Sequence, residues 1–119
     1  MLQSLISETE LPGKKVTYDT LQIISHRYYW CSRFTSGKKI LEVGCGPGLG
    51  LKVLSSASIF TVAGDLTWES ISLAAHNLSD SKIRTIQMDA HHLPFKNQSM
   101  DVIICVAAMI YLDLSPFLK

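Results

Sequence analysis

ILEVGCGPGLG, residues 40–50, places four glycines within seven positions directly after an apolar run. Glycine loses the most backbone freedom on folding, so such a cluster marks a sharp turn or a place where something lies against bare backbone. The run that precedes it, KILEV (39–43), reads as a short strand. A helix follows from about Gly48, with Gly50, Val53, Leu54 and Ala57 as its apolar face. The glycines therefore sit at a strand-to-helix junction, at the carboxyl end of the strand, where open parallel sheets take their ligands.

The same alternation continues downstream. IFTVAG (59–64) is rich in β-branched and aromatic residues and reads as a second strand. Thr67 can cap the next helix, Glu69 favours its first turn, and Trp68, Ile71, Ala74, Ala75 and Leu78 fall at helical spacing. KIRTIQM (82–88) and DVIICVA (101–107) give a third and a fourth strand. The fourth is apolar on both faces, as expected where helices cover a sheet on both sides. Upstream, Leu21, Ile24, Tyr28 and Cys31 form one stripe of a helix that begins near Thr17 and stops near TSGKK (35–39) at Gly37. Residues 1–10 form a short helix or stay loose, and LPGKK (11–15) is a turn. The domain thus divides into an N-terminal segment, 1–16, and an α/β unit, 17–119. Strands alternating with helices predict parallel βαβ units with right-handed crossovers.

Composition narrows the partners. The 119 residues are 47% hydrophobic with a net charge of +1, and the Lys and Arg residues are scattered. A core can form, but there is no basic footprint for nucleic acid. The longest apolar run, VIICVAAMIYL, has 11 residues, short of the roughly 20 that cross a bilayer, so no membrane role is expected. Cys31, Cys45 and Cys105 lie far apart and match no metal-ligand spacing, which predicts reduced thiols in a cytoplasmic protein.

The loop fits neither common phosphate-binding pattern. In the dinucleotide fingerprint G-x-G-x-x-G/A, the third small residue would be Leu49 or Leu51, and no Gly-Lys-Ser/Thr follows for a Walker loop. It resembles instead the first motif of class I S-adenosylmethionine-dependent methyltransferases, an acid at the strand end followed by G-x-G-x-G. The matching residues are Glu42, Gly44, Gly46 and Gly48, with Cys45 and Pro47 between them. Asp65 ends the second strand 21 positions after Gly44, about where a ribose-binding acid belongs, with Leu66 beside it. QMDAHHLPF resembles the family's D-A-x-x-L-P-F signature, which implies that Asp89 and Ala90 read adenine. The end of the fourth strand, Cys105 and Val106, would lie beside the methionine part of the cofactor.

The resemblance, spanning residues 38–114, implies a Rossmann-like sheet in the order 3-2-1-4 and S-adenosyl-L-methionine as cofactor. Cys105-Val106-Ala107-Ala108 stands where DNA amino-methylating members carry Asn/Asp-Pro-Pro-aromatic, so the resemblance favours a small-molecule acceptor. No catalytic residue is nominated. Bland readings stand beside these. Asp65 and Asp89 could be ordinary turn or cap acids, and Cys45 and Cys105 small fillers rather than nucleophiles. His91 and His92 suit loop positions, with His92 the better proton acceptor. Tyr18, Arg27, Tyr28 and Tyr29 could close over the cofactor, with Arg27 meeting its carboxylate, although packing suits the tyrosines better.

The family's fold continues for about three strands past the point where this sequence stops, and DLSPFLK (113–119) reads as a helix start with Ser115 as cap and Pro116 at the first helical position. The fourth strand would then be an apolar edge. Three expectations remain open: a truncated methyltransferase, a half-domain completed by self-association or a partner chain through that edge, and a non-catalytic cofactor-binding or interaction module.

Overall fold

A computed structural model describes residues 18–78 and 82–106, with the side chains of residues 18–21 and of Asn77 left aside. The expectations for residues 1–17 and 107–119, and for the side chains of Tyr18 and Leu21, lie outside the described residues.

Seven elements follow one another: α1 (Tyr18–Ser32), β1 (Lys39–Val43), α2 (Leu51–Ser55), β2 (Phe60–Asp65), α3 (Trp68–Asn77), β3 (Ile83–Gln87) and β4 (Val102–Ile104). The strands form one parallel sheet in the order β3-β2-β1-β4. Strand order and direction agree with the expectation from sequence. Register pairs Val43 with Gly64, Asp65 with Gln87 and Glu42 with Ile104, so the carboxyl ends of all four strands reach one rim.

Parallel strands in register share a face, and alternation sorts the core. Ile40, Ala63, Ile83 and Ile104 point to one face and pack under all three helices through Tyr28, Leu51, Leu54, Ile71 and Ala74. Leu41, Val43 and Val62 point to the other face, where Met88, Leu93, Phe95 and Met100 from the connection after β3 cover them. Among the described residues no helix lies on this second face, so the two-sided covering read from the apolar fourth strand is not tested by them. Ile103 on β4 is accordingly 56% exposed.

Local corrections have local causes. Helix α2 begins at Leu51 rather than near Gly48, because the glycine turn runs on through Gly50. This rotates the buried face to Leu51, Leu54 and Ser55, leaving Val53 half-buried and Ala57 exposed. Helix α1 ends at Ser32, before the expected stop; single-turn hydrogen bonds carry the chain on to Gly37, whose φ of +67° suits glycine. In α3 the Thr67 hydroxyl accepts from the Ser70 amide at 3.3 Å, the expected cap. Only Ile71, Ala74 and Leu78 of its five candidate core residues reach the sheet; Trp68 is 67% exposed and Ala75 is also outside, since one helix face against a sheet is a narrow stripe. Tyr29, grouped with the packing tyrosines, is exposed, one residue off the stripe that buries Tyr28.

Candidate functional site

The glycine turn is built by the sheet rim below it. The amides of Gly44 and Cys45 both donate to the carbonyl of Gly64, at 2.8 and 3.0 Å, so β2 anchors the chain as it leaves β1. Gly44, Gly46 and Gly48 all take positive φ, of 73, 56 and 86°, a conformation that a side chain strains. The four glycines serve different neighbours. A Cβ on Gly50 would stand 2.0 Å from the Tyr28 ring, and one on Gly48 would press on Leu51, Ala74 and Leu78. These two answer to internal packing. A Cβ on Gly46 would meet nothing within 4 Å, so open space lies over that backbone.

Three carboxylates stand at the ends of three adjacent strands. Glu42, on the α1 face of β1, is completely buried. The Tyr28 hydroxyl faces it, yet neither carboxylate oxygen has a partner in good hydrogen-bonding geometry among the described residues. Burial pushes the Glu42 carboxyl up to about 8; the Tyr28 hydroxyl works against this rise, and the charge of Asp65 adds to it. Tyr28 in turn is pushed up by burial first and by Glu42 second.

Asp65 is half-buried and does mechanical work for the loop. One oxygen accepts from the Gly46 amide at 2.9 Å, and the other from the Thr67 amide at 3.1 Å. It thereby ties the glycine turn to the start of α3. Asp89, just beyond β3, is exposed and accepts at one oxygen from the His91 amide at 2.9 Å, with the His91 ring nitrogen Nδ1 at 3.0 Å from the same atom. The His91 amide first, and its ring second, hold the Asp89 carboxyl below its usual range. None of the three carboxylates is paired with a Lys or Arg among the described residues.

The other sequence candidates fall into two groups. Cys45 and Pro47 are buried beneath the turn, and burial, followed by Glu42 and Asp65, pushes the Cys45 thiol up and makes it a filler. Ala90 and Cys105 pack, half-buried, on the second face of the sheet. Leu66 projects from the rim, 65% exposed, and its carbonyl accepts from the Gln87 amide group at 3.0 Å. His91 is bound into the Asp89 turn, and His92 is exposed. Arg27 lines a separate hollow of about 610 Å³ between α1 and β4, with Trp30, Phe34 and Ile103 among its walls. That hollow touches the rim only through Ile104, Cys105 and Val106. The role of Tyr28 beside Glu42 was not legible in the sequence beyond its place on an apolar stripe. The signal that points to it is a buried acid that needs a donor, which only the fold can supply.

A family model for a methyltransferase domain matches residues 40–118. The chain belongs to the class I S-adenosylmethionine-dependent methyltransferase family. A curated relative, the phthiotriol/phenolphthiotriol dimycocerosates methyltransferase of Mycobacterium leprae, is 38% identical over 76 residues, covering 61% of this chain and 28% of its own length. The chain therefore spans under a third of that relative. Among solved structures, phosphoethanolamine N-methyltransferase 1 of Haemonchus contortus, solved with phosphoethanolamine and S-adenosylhomocysteine, superposes with a TM-score of 0.59 at 19% identity, over 71% of this chain and 19% of that one. Magnesium protoporphyrin IX methyltransferase of Synechocystis, solved with S-adenosylhomocysteine, gives 0.60 at 17% identity, over 77% and 47%. Both likenesses establish the Rossmann-like fold. No helix among the described residues is long and apolar enough to cross a membrane.

Proposed function

We propose that this chain carries the cofactor half of a methyltransferase that transfers a methyl group from S-adenosyl-L-methionine to a small molecule. The observation that carries the reading is the rim itself: open space over Gly46, flanked by the carboxylates of Glu42, Asp65 and Asp89, none of them paired with a Lys or Arg among the described residues. The carboxylates of Asp65 and Asp89 would repel a phosphate-bearing cofactor. A cationic nucleoside with hydroxyl and amino donors is suited to that arrangement.

In this reading the Gly44–Gly48 turn, with Cys45 and Pro47 filling it from below, lets the cofactor approach bare backbone. Asp65 accepts from the ribose hydroxyls while keeping the turn in place, and Leu66 stacks its exposed side chain at the rim. Asp89 and Ala90 take the adenine, and Cys105 flanks the methionine part. When bound, the cofactor supplies a methyl group made electrophilic by its sulfonium. The protein's contribution is placement, which in well-organised sites is worth on the order of 7–11 kcal/mol. No described residue is assigned as a base.

The acceptors named for the Mycobacterium leprae and Synechocystis enzymes, dimycocerosates and magnesium protoporphyrin IX, support a small-molecule acceptor here. Cys31, Cys45 and Cys105, with no disulfide among the described residues, suit a cytoplasmic location. Ile103, exposed on an edge strand of the described sheet, supports contact with a second copy or a partner chain along β4. Titration calorimetry with S-adenosylmethionine, using NAD as a control, tests the binding step. Transfer of labelled methyl to candidate acceptors separates an enzyme from a binding module. A folded chain that binds no S-adenosylmethionine ends this reading.

A further inference from the structure

The least accessible of the three acids is also the least explained. Glu42 has no exposed surface and no hydrogen-bond partner in good geometry among the described residues. It is nevertheless placed next to the glycine turn, two residues before Gly44. A buried, ionised carboxylate without a partner costs several kcal/mol, so the group stays neutral until a compensating charge reaches it.

Every group facing it works against ionisation or is only weakly helpful. Helix α1 presents the Tyr28 hydroxyl and, further off, the Cys31 thiol; the loop presents the Cys45 thiol, and β2 presents the Asp65 carboxylate. Helix α2 and strand β4 add the apolar side chains of Leu51, Leu54, Val102 and Ile104 to this face. No described cation is among them.

We propose that cofactor binding by this chain is coupled to proton release from Glu42: the positive end of the cofactor's amino-acid part supplies the missing counter-charge, Glu42 gives its proton to solvent, and Tyr28 is the positioning residue whose hydroxyl donates to the new carboxylate. The proposal rests on the reading of the rim as an S-adenosylmethionine site. The proton balance is simple. A neutral acid and a cation become an ion pair plus one hydrated proton, and no bond to carbon changes. Packing also holds the Tyr28 ring in place: it lies against the backbone of Gly50, where any Cβ would collide with it. The raised carboxyl of Glu42 agrees with this picture, being mostly protonated at neutral pH.

The test uses the full chain and S-adenosylmethionine in calorimetry, in two buffers of different ionisation enthalpy, between pH 5.5 and 7. The wild type should release close to one proton per cofactor bound, and its affinity should rise about tenfold per pH unit more steeply than that of Glu42→Gln. Tyr28→Phe keeps the ring on Gly50 and removes only the hydroxyl. Its pH profile should move to higher pH with its melting temperature little changed, a shift that a purely structural role would not produce. It also serves should Glu42→Gln fail to fold. S-adenosylhomocysteine, which lacks the sulfonium but keeps the ammonium, identifies the cation: equal release with both ligands assigns the ammonium, and release with S-adenosylmethionine alone assigns the sulfonium. Tight binding with no proton release, or equal pH slopes in wild type and Glu42→Gln, overturns the coupling and leaves the cofactor site standing. Absence of binding at every pH overturns both.

Discussion

Replacing Asp65 with alanine separates two duties that one side chain carries. Its carboxylate joins the Gly46 amide, at 2.9 Å, to the Thr67 amide, at 3.1 Å, so the substitution cuts the glycine turn from the start of α3. A hydrogen bond to a charged acceptor contributes about 1.5–3 kcal/mol, and the half-exposed setting of Asp65 argues for the lower end. Adding roughly 0.5 kcal/mol for the exposed Thr67 contact gives a stability loss of about 2 kcal/mol. For a domain of this size that corresponds to a fall of about 8 °C in melting temperature. The proposed ribose contact is a separate quantity. Losing it should weaken S-adenosylmethionine binding by a further 1.5–3 kcal/mol, roughly tenfold to more than a hundredfold. Denaturant titration reads the first effect, and calorimetry at a temperature where the variant is fully folded reads the second. Asp65→Asn keeps an acceptor for one amide but turns a donor toward the other, so it should recover only part of the stability. A variant with wild-type affinity refutes the placement of the ribose, and one with wild-type melting refutes the brace.

Two glycine substitutions should behave differently. Gly50→Ala forces a methyl into the Tyr28 ring and should cost about 1–3 kcal/mol or more of stability, seen as an earlier denaturant midpoint; unchanged melting would refute the close contact. Gly46→Ala meets no neighbour but sits at a φ of +56°, so it should cost about 1–2 kcal/mol in backbone strain and also weaken cofactor binding by occupying the open space. Stability should depend on pH through Glu42. The folded acid holds its proton up to about 8, whereas the unfolded one releases it near 4.5, so its contribution is fully present below 4.5 and is lost as pH rises through 8. The loss amounts to several kcal/mol at most, and denaturation of Glu42→Gln at pH 5 and pH 8 should show that part of the slope removed.

The strand scaffold was legible because its signals are local. KILEV is β1 residue for residue, Asp65 is the last residue of β2, and Thr67 caps α3 through its own hydroxyl. The sheet order followed from the family resemblance together with the alternation of strands and helices. What escaped depends on contacts between distant parts of the chain. Nothing near Gly50 reveals that its missing side chain makes room for Tyr28, or that Gly64 makes room for Met88. Four glycines within seven positions look alike in sequence, yet Gly46 opens onto clear space while Gly48 and Gly50 answer to internal packing. The covering of the second face was likewise hidden, because among the described residues Leu93, Phe95 and Met100 supply it from a connection without regular structure. Asp65 was identified as an acid at a strand end, but its hold on the Gly46 amide appears only once β2 lies beside β1.

A parallel sheet brings its strand ends to one rim, but it does not bring them there at equal depth, and depth sorts the acids by what each can do. The central strand β1 is flanked by β2 and β4 and covered by helices, so Glu42 lies beyond the reach of solvent and can respond only to a charge pressed against the turn above it. β2 is the other inner strand, but Asp65 is its last residue and only half-buried, so it can hold backbone on its inner side and still turn lone pairs outward. β3 is the edge of the described sheet, and Asp89, with 46% of its side chain exposed, is ionised at low cost and kept so by His91. Under the proposed reading this order matches the order of polarity along the cofactor, with the cationic amino-acid end toward the deepest acid and the neutral adenine amino group toward the shallowest. An acid as deep as Glu42 at the end of β3 would be a needless cost for reading a neutral donor, and an acid as exposed as Asp89 on β1 would be ionised already and give no linkage between charge and binding. The depth of each strand end, rather than the mere presence of an acid there, is what gives the three carboxylates different tasks.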